Sequence, residues 1–110
     1  MQTEIIKKKV TYFINMFEED IRDESRPLTK RIAYSLAAYR LQEMAEAALP
    51  DVVVYLEKNR PEGFESVVAW TILLTAIERE MGLDEGPQDL NDFDGWFAWA
   101  KKHASEIRLQ

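Results

Sequence analysis

The residues that could do chemistry are few. The chain has one histidine, His103, and no cysteine, so thiolate metal sites, disulfides and cysteine nucleophiles are excluded. A histidine-rich metal centre is excluded with them, because such sites need several ligands converging on one point. His103 falls near the end of a helical segment, where a cation is favoured by the helix dipole, and is read as a surface residue there. Five carboxylates crowd between residues 84 and 94: Asp84, Glu85, Asp89, Asp92 and Asp94. Such density calls for a calcium test. A loop starting at Asp89 places Asn91 acceptably, but Phe93, Asp94 and Ala100 fall where an oxygen ligand, a glycine and a glutamate are required. The signature fails, and a solvated loop with helix-capping aspartates is the expectation. Ser25, Ser35, Ser66 and Ser105 lie in no nucleophile-elbow pattern, and no glycine-rich phosphate loop exists. No cofactor is implied, and a carboxylate-dependent enzyme is left without support.

Two further patterns bear on binding. Trp96 and Trp99 share one helical face beside the acidic run, with Phe93 near them and Phe97 pointing elsewhere. Aromatic side chains dominate core burial, which favours the two indoles as a lid on the core. The sharper alternative is an exposed aromatic anchor with an acidic rim, since tryptophan is enriched at binding hot spots. The candidate partner-binding residues are therefore Asp84, Glu85, Asp89, Asp92, Asp94, Trp96 and Trp99. Lys7, Lys8 and Lys9, with Lys30, Arg31 and Arg40, could form a positive patch. Three consecutive lysines fan around a helix, however, which suits a solvated face better than a stripe tracking a phosphate backbone.

The elements that must position these residues read as helices. Ile6, Val10, Phe13, Ile14, Phe17 and Ile21 recur at spacings of three and four, predicting an amphipathic helix over Thr3–Ile21 with Thr3 as its cap. Pro27 opens a second, alanine-rich helix expected to run to Leu49. Pro50–Lys58 predicts a short helix with Val52, Val53 and Leu56 inward, preferred over a strand because a lone strand would have nothing to pair with. Phe64–Met81 is apolar over most of its circumference, so it belongs in the middle of the core. Gly82 should adopt the left-handed cap conformation, with Leu83 packing back on the last turn. A last helix starts near Asp92 or Asp94, and Lys101, Lys102, His103 and Arg108 lie toward its negative end.

The 110 residues, 46% hydrophobic and 11% aromatic, suffice for one domain spanning 1–110 with a real core. No apolar run is long enough to cross a bilayer and the N-terminus lacks the pattern of a signal peptide, so a cytoplasmic protein is expected. The expected fold is all-α: about five helices in antiparallel hairpins, stacked or closed into a bundle. Leu49-Pro50-Asp51-Val52-Val53-Val54-Tyr55-Leu56 resembles the proline-led second helix of a HEAT-type unit. Val68-Ala69-Trp70-Thr71-Ile72-Leu73-Leu74 resembles the apolar first helix of the next. Phe93-Asp94-Gly95-Trp96-Phe97-Ala98-Trp99-Ala100-Lys101-Lys102 is similar to the tryptophan-rich terminal helix of some bacterial HEAT-like proteins. The resemblance covers residues 41–103 and implies a right-handed stack of hairpins serving as a protein-binding scaffold, with no catalytic residues to carry over.

Charge narrows the partner. Residues 1–40 hold eight Lys/Arg against six Asp/Glu, a net +2, while residues 41–110 hold six against fourteen, a net -8. An acidic C-terminal portion disfavours nucleic acid and suits a basic protein. The expectation is a non-enzymatic interaction module of the immunity, antitoxin or inhibitor type. The alternative is a self-oligomerising module in which the amphipathic stretch Ile5–Ile21 pairs with its own copy as a homodimer.

Overall fold

The computed structural model describes residues 2–108, with side chains from residue 4 to residue 107. Among these residues there is no strand. Six α-helices carry the chain: α1 (Gln2–Arg22), α2 (Leu28–Ala33), α3 (Leu36–Met44), α4 (Leu49–Lys58), α5 (Phe64–Glu80) and α6 (Phe93–Arg108), with a single 3-10 turn, Ala45–Ala47, between α3 and α4. Each element follows from local pattern. On α1, Val10, Ile14, Phe17 and Ile21 are buried and Ile6 and Phe13 half-buried, one stripe at helical spacing. The helix begins at Gln2, ahead of the expected start. The side chains of Thr3 and Arg108, expected to cap α1 and to complement the end of α6, lie outside the described residues. The Val52–Leu56 stretch is helical, with Val52, Val53 and Leu56 buried as its spacing requires.

The second helix is corrected. Instead of one helix from Pro27 to Leu49, the chain breaks twice. Ser35 accepts a hydrogen bond from the Ala38 N–H and so caps a new helix, while its own hydroxyl donates to Asp20 on α1 at 2.7 Å. A capping serine is worth about 1 kcal/mol, enough to compete with one further turn of continuous helix. At Ala45 the backbone takes φ 48°, a left-handed value uncommon for alanine, and α3 ends there. Alanine's helix preference is a weak prior, and these tertiary and capping terms override it.

α4 lies against α6, α1 against α3 and α4, and α3 and α6 both against α5. Trp70, Phe17, Leu41, Leu49, Leu56, Leu73, Leu74 and Ile77 are fully buried at their meeting point. Each such side chain contributes about 1.5–3 kcal/mol by leaving water. α5 is central but, contrary to expectation, not covered all round: Val68, Ile72 and Ala76 remain only half-buried and Phe64 is exposed. No helix among the described residues is long and apolar enough to cross a membrane.

Candidate functional site

Four of the five clustered carboxylates, Asp84, Glu85, Asp89 and Asp92, belong to a strap that leaves α5 at Gly82 and enters α6 at Phe93; Asp94 stands in the first turn of α6. Gly82 takes φ 75°, and the N–H groups of Gly82 and Leu83 return to the carbonyls of Arg79 and Glu78, closing the last turn of α5 as the sequence predicts. Next the strap is pinned from below. Glu78, only 5% exposed, accepts hydrogen bonds on one oxygen from the backbone N–H of Glu85 at 2.9 Å and of Gly86 at 2.6 Å. Bonds to a charged acceptor contribute about 1.5–3 kcal/mol each. Gly86 then lies flat on the Trp96 ring, so close that a Cβ there would come within 2.4 Å of its Cζ3. Farther along, the Thr71 hydroxyl donates to the Leu90 carbonyl and ties the strap to α5 again.

His103 provides the third anchor, and its expected position is corrected. It is 8% exposed, with Nε2 at 2.7 Å from Glu85 and Nδ1 at 3.1 Å from Glu106, and its ring lies 5.1 Å from that of Trp99. A proton on each nitrogen lets the ring donate to both carboxylates; a single proton serves only one of them. The histidine thus clamps the strap to α6.

The predicted partner-binding residues separate accordingly. Trp96 and Trp99 are 2% and 6% exposed, edge to face with centroids 5.7 Å apart, and close the core; the exposed-anchor reading of these two is overturned. Neither indole N–H has a hydrogen-bond partner among the described residues. Glu85 is exposed but engaged with His103. Asp89 accepts from the Asn91 N–H at 2.8 Å, and Asp92 caps α6 by accepting from the Gly95 N–H at 2.9 Å. Asp94 pairs with Arg60 at 2.7 Å, whose guanidinium also lies 5.0 Å from the Phe93 ring centre. Asp84 is exposed and makes no such contact among the described residues. All five carboxylates face solvent on a fixed backbone, and Leu90, 40% exposed, is the apolar side chain among them. No group of three or more His, Asp or Glu among the described residues could hold a metal ion.

The positive patch does not assemble. Arg31 is buried: Nε donates to the Arg26 carbonyl at 2.7 Å, and Nη1 donates to the Ile21 carbonyl at 3.0 Å and pairs with Glu65 at 3.1 Å. Arg40 pairs with Glu43 on its own helix. Lys7, Lys8 and Lys9 are exposed, fanned around α1.

Two structural carboxylates escaped the sequence reading. Glu78 sits four residues after Leu74 on the buried face of α5, and a glutamate in that register was the available signal. Glu18, at the edge of the α1 stripe between Ile14 and Ile21, accepts from the indole N–H of the fully buried Trp70 at 2.6 Å. Burial, and secondarily the Glu18 charge, raises the Tyr55 phenol above its ordinary range. At the α1–α2 corner, hydrogen bonds from the Ser25 hydroxyl and N–H lower the Asp23 carboxyl. Comparison with protein-family models, with curated proteins and with solved structures finds no match for this chain.

Proposed function

We propose that this chain is a protein-binding module without chemistry of its own, acting in the cytoplasm on a basic partner in the manner of an immunity protein, antitoxin or inhibitor. The observation that carries the reading is the strap with the start of α6 beside it: five solvent-facing carboxylates, on a segment whose backbone is held by Glu78 and Thr71 and whose Glu85 side chain is held by His103. A rigid acidic surface loses little conformational entropy when a partner docks, and its field speeds the encounter with a cationic surface. Leu90 supplies an apolar contact at its centre, the role the sequence alone gave to Trp96 and Trp99. The likeness of residues 41–103 to HEAT-type hairpins agrees with a scaffold that presents loops. Charge of this kind acts mainly on association rate and selectivity, so the partner's on-rate should fall steeply with salt.

The test captures partners from the native host on immobilised protein at low salt, beside an Asp84→Lys/Asp89→Lys double variant. Neither aspartate contributes to the core, so the variant should fold. The expected result is a basic protein retained by the parent, released by salt and lost from the variant. Retention by both proteins alike, or a partner insensitive to salt, would remove the strap from the interface.

A further inference from the structure

We infer that the outer face of α5 is the dyad surface of a homodimer, in which a second copy lays its own α5 antiparallel across the first, centred on Ile72. The face that the chain's other elements leave partly open consists of Val68, Ile72 and Ala76, half-buried, with Phe64 71% exposed at the N-terminal end of the helix. On one flank it continues into a groove of about 190 Å³ whose walls include Ile32 and Tyr39 across from Ile72 and Ala76. Tyr39 is 56% exposed, so the apolar surface does not end at α5.

The order of residues on this face says what covers it. A two-fold axis through an antiparallel helix pair matches each residue with the one equally far on the other side of the centre. With Ile72 at the centre, Val68 meets Ala76 of the second copy, a large residue against a small one, on both sides of the axis. One step farther out, Glu65 meets Arg79 of the second copy, and the same pair recurs at the other end. Both side chains are exposed and lie on the same face as Ile72, seven residues to either side. The Glu65 carboxylate spends one oxygen on Arg31 and has the other available. Parallel pairing would instead set Glu65 against Glu65 and Arg79 against Arg79, so charge selects both the orientation and the register. Ala76 and Thr75 let the two helices approach to the usual 8–10 Å.

This surface is separate from the strap carboxylates, and the sequence reading had placed self-pairing on Ile5–Ile21 instead. On α1 the exposed apolar residues Ile5 and Tyr12 share a face flanked by the exposed Lys8 and Lys9.

Sedimentation over roughly 5–500 µM, the range in which a modest helix-pair interface associates, should show the mass rising from one chain toward two. Arg79→Glu alone should weaken association about tenfold or more by facing like charges across the dyad, while leaving the Arg31–Glu65 pair within each copy intact. The chain has no cysteine, so a single Ile72→Cys substitution gives an unambiguous cross-link. Two Cβ atoms flanking the axis meet disulfide geometry, whereas Val68→Cys places its two copies about 12 Å apart along the helices and should not cross-link. A chain that stays monomeric across this range, a dimer that Arg79→Glu leaves intact, or cross-linking at 68 in preference to 72 would each overturn the proposal.

Discussion

The chain's three tryptophans offer a matched experiment on what holds the fold together. Trp70, Trp96 and Trp99 are all buried, but among the described residues only Trp70 has an acceptor for its indole N–H, the Glu18 carboxylate at 2.6 Å. Replacing Trp70 or Trp99 by phenylalanine deletes the same atoms. The lost transfer energy and residual cavity should cost about 1–2 kcal/mol in either position. In Trp70→Phe a hydrogen bond to a charged group is also lost, about 1.5–3 kcal/mol, and a carboxylate with only 18% of its side chain exposed is left short of a donor. The total is about 2.5–5 kcal/mol, a large share of the roughly 5–15 kcal/mol that holds a typical domain. In Trp99→Phe the sign of the polar term reverses. An unpaired buried N–H costs about 1–3 kcal/mol and disappears with the ring, so the net should lie between about 1 kcal/mol of loss and about 2 kcal/mol of gain. Urea denaturation followed by far-ultraviolet circular dichroism measures both variants without relying on the deleted fluorophore. Equal losses for the two substitutions would refute the reasoning, because size alone would then account for both.

Gly86→Ala forces a Cβ into the Trp96 ring and should cost about 1–3 kcal/mol by overpacking, visible as a lowered melting temperature. Gly82→Ala meets no atom within contact range and should lose only about 1 kcal/mol, from the left-handed backbone. Glu78→Ala frees the N–H groups of Glu85 and Gly86, so their amide hydrogen exchange should accelerate well before that of the α5 core. Tyr55 sets an alkaline limit. Its phenol is raised in the fold, so the native state holds the proton more tightly than the unfolded chain does; stability is complete below the unfolded tyrosine range near pH 10 and falls as pH climbs from there through the raised value. Glu18→Gln removes the charge contribution and leaves burial, so Tyr55 should titrate lower than in the parent but still above an exposed tyrosine, as read by phenol chemical shifts against pH.

Helical periodicity was legible because burial at spacings of three and four leaves its mark in residue type along the chain. The stripe Val10–Ile14–Phe17–Ile21, the helix Pro50–Lys58, the left-handed Gly82 and the capping Asp92 all follow from local chemistry and appear where that chemistry puts them. The absence of thiols and of a second histidine likewise needs no coordinates. What the one-dimensional pattern could not carry was every decision made between segments distant in the chain. The break at Ser35 depends on Asp20 and the burial of Arg31 on carbonyls of two other residues, one of them ten positions away. His103 becomes a clamp only because the strap brings Glu85 to it across eighteen positions, and Glu18 stops being a surface glutamate only because Trp70 arrives from fifty-two positions off. The same holds for the indoles of Trp96 and Trp99, for which aromatic burial favours a core lid while their spacing also allows an exposed anchor, and for α5, whose all-round apolarity says that it seeks cover without saying which side the helices of its own chain leave bare. Side-chain type records a preference for burial; which neighbour satisfies it is settled by geometry among segments far apart in the sequence, and there the tertiary structure alone decides.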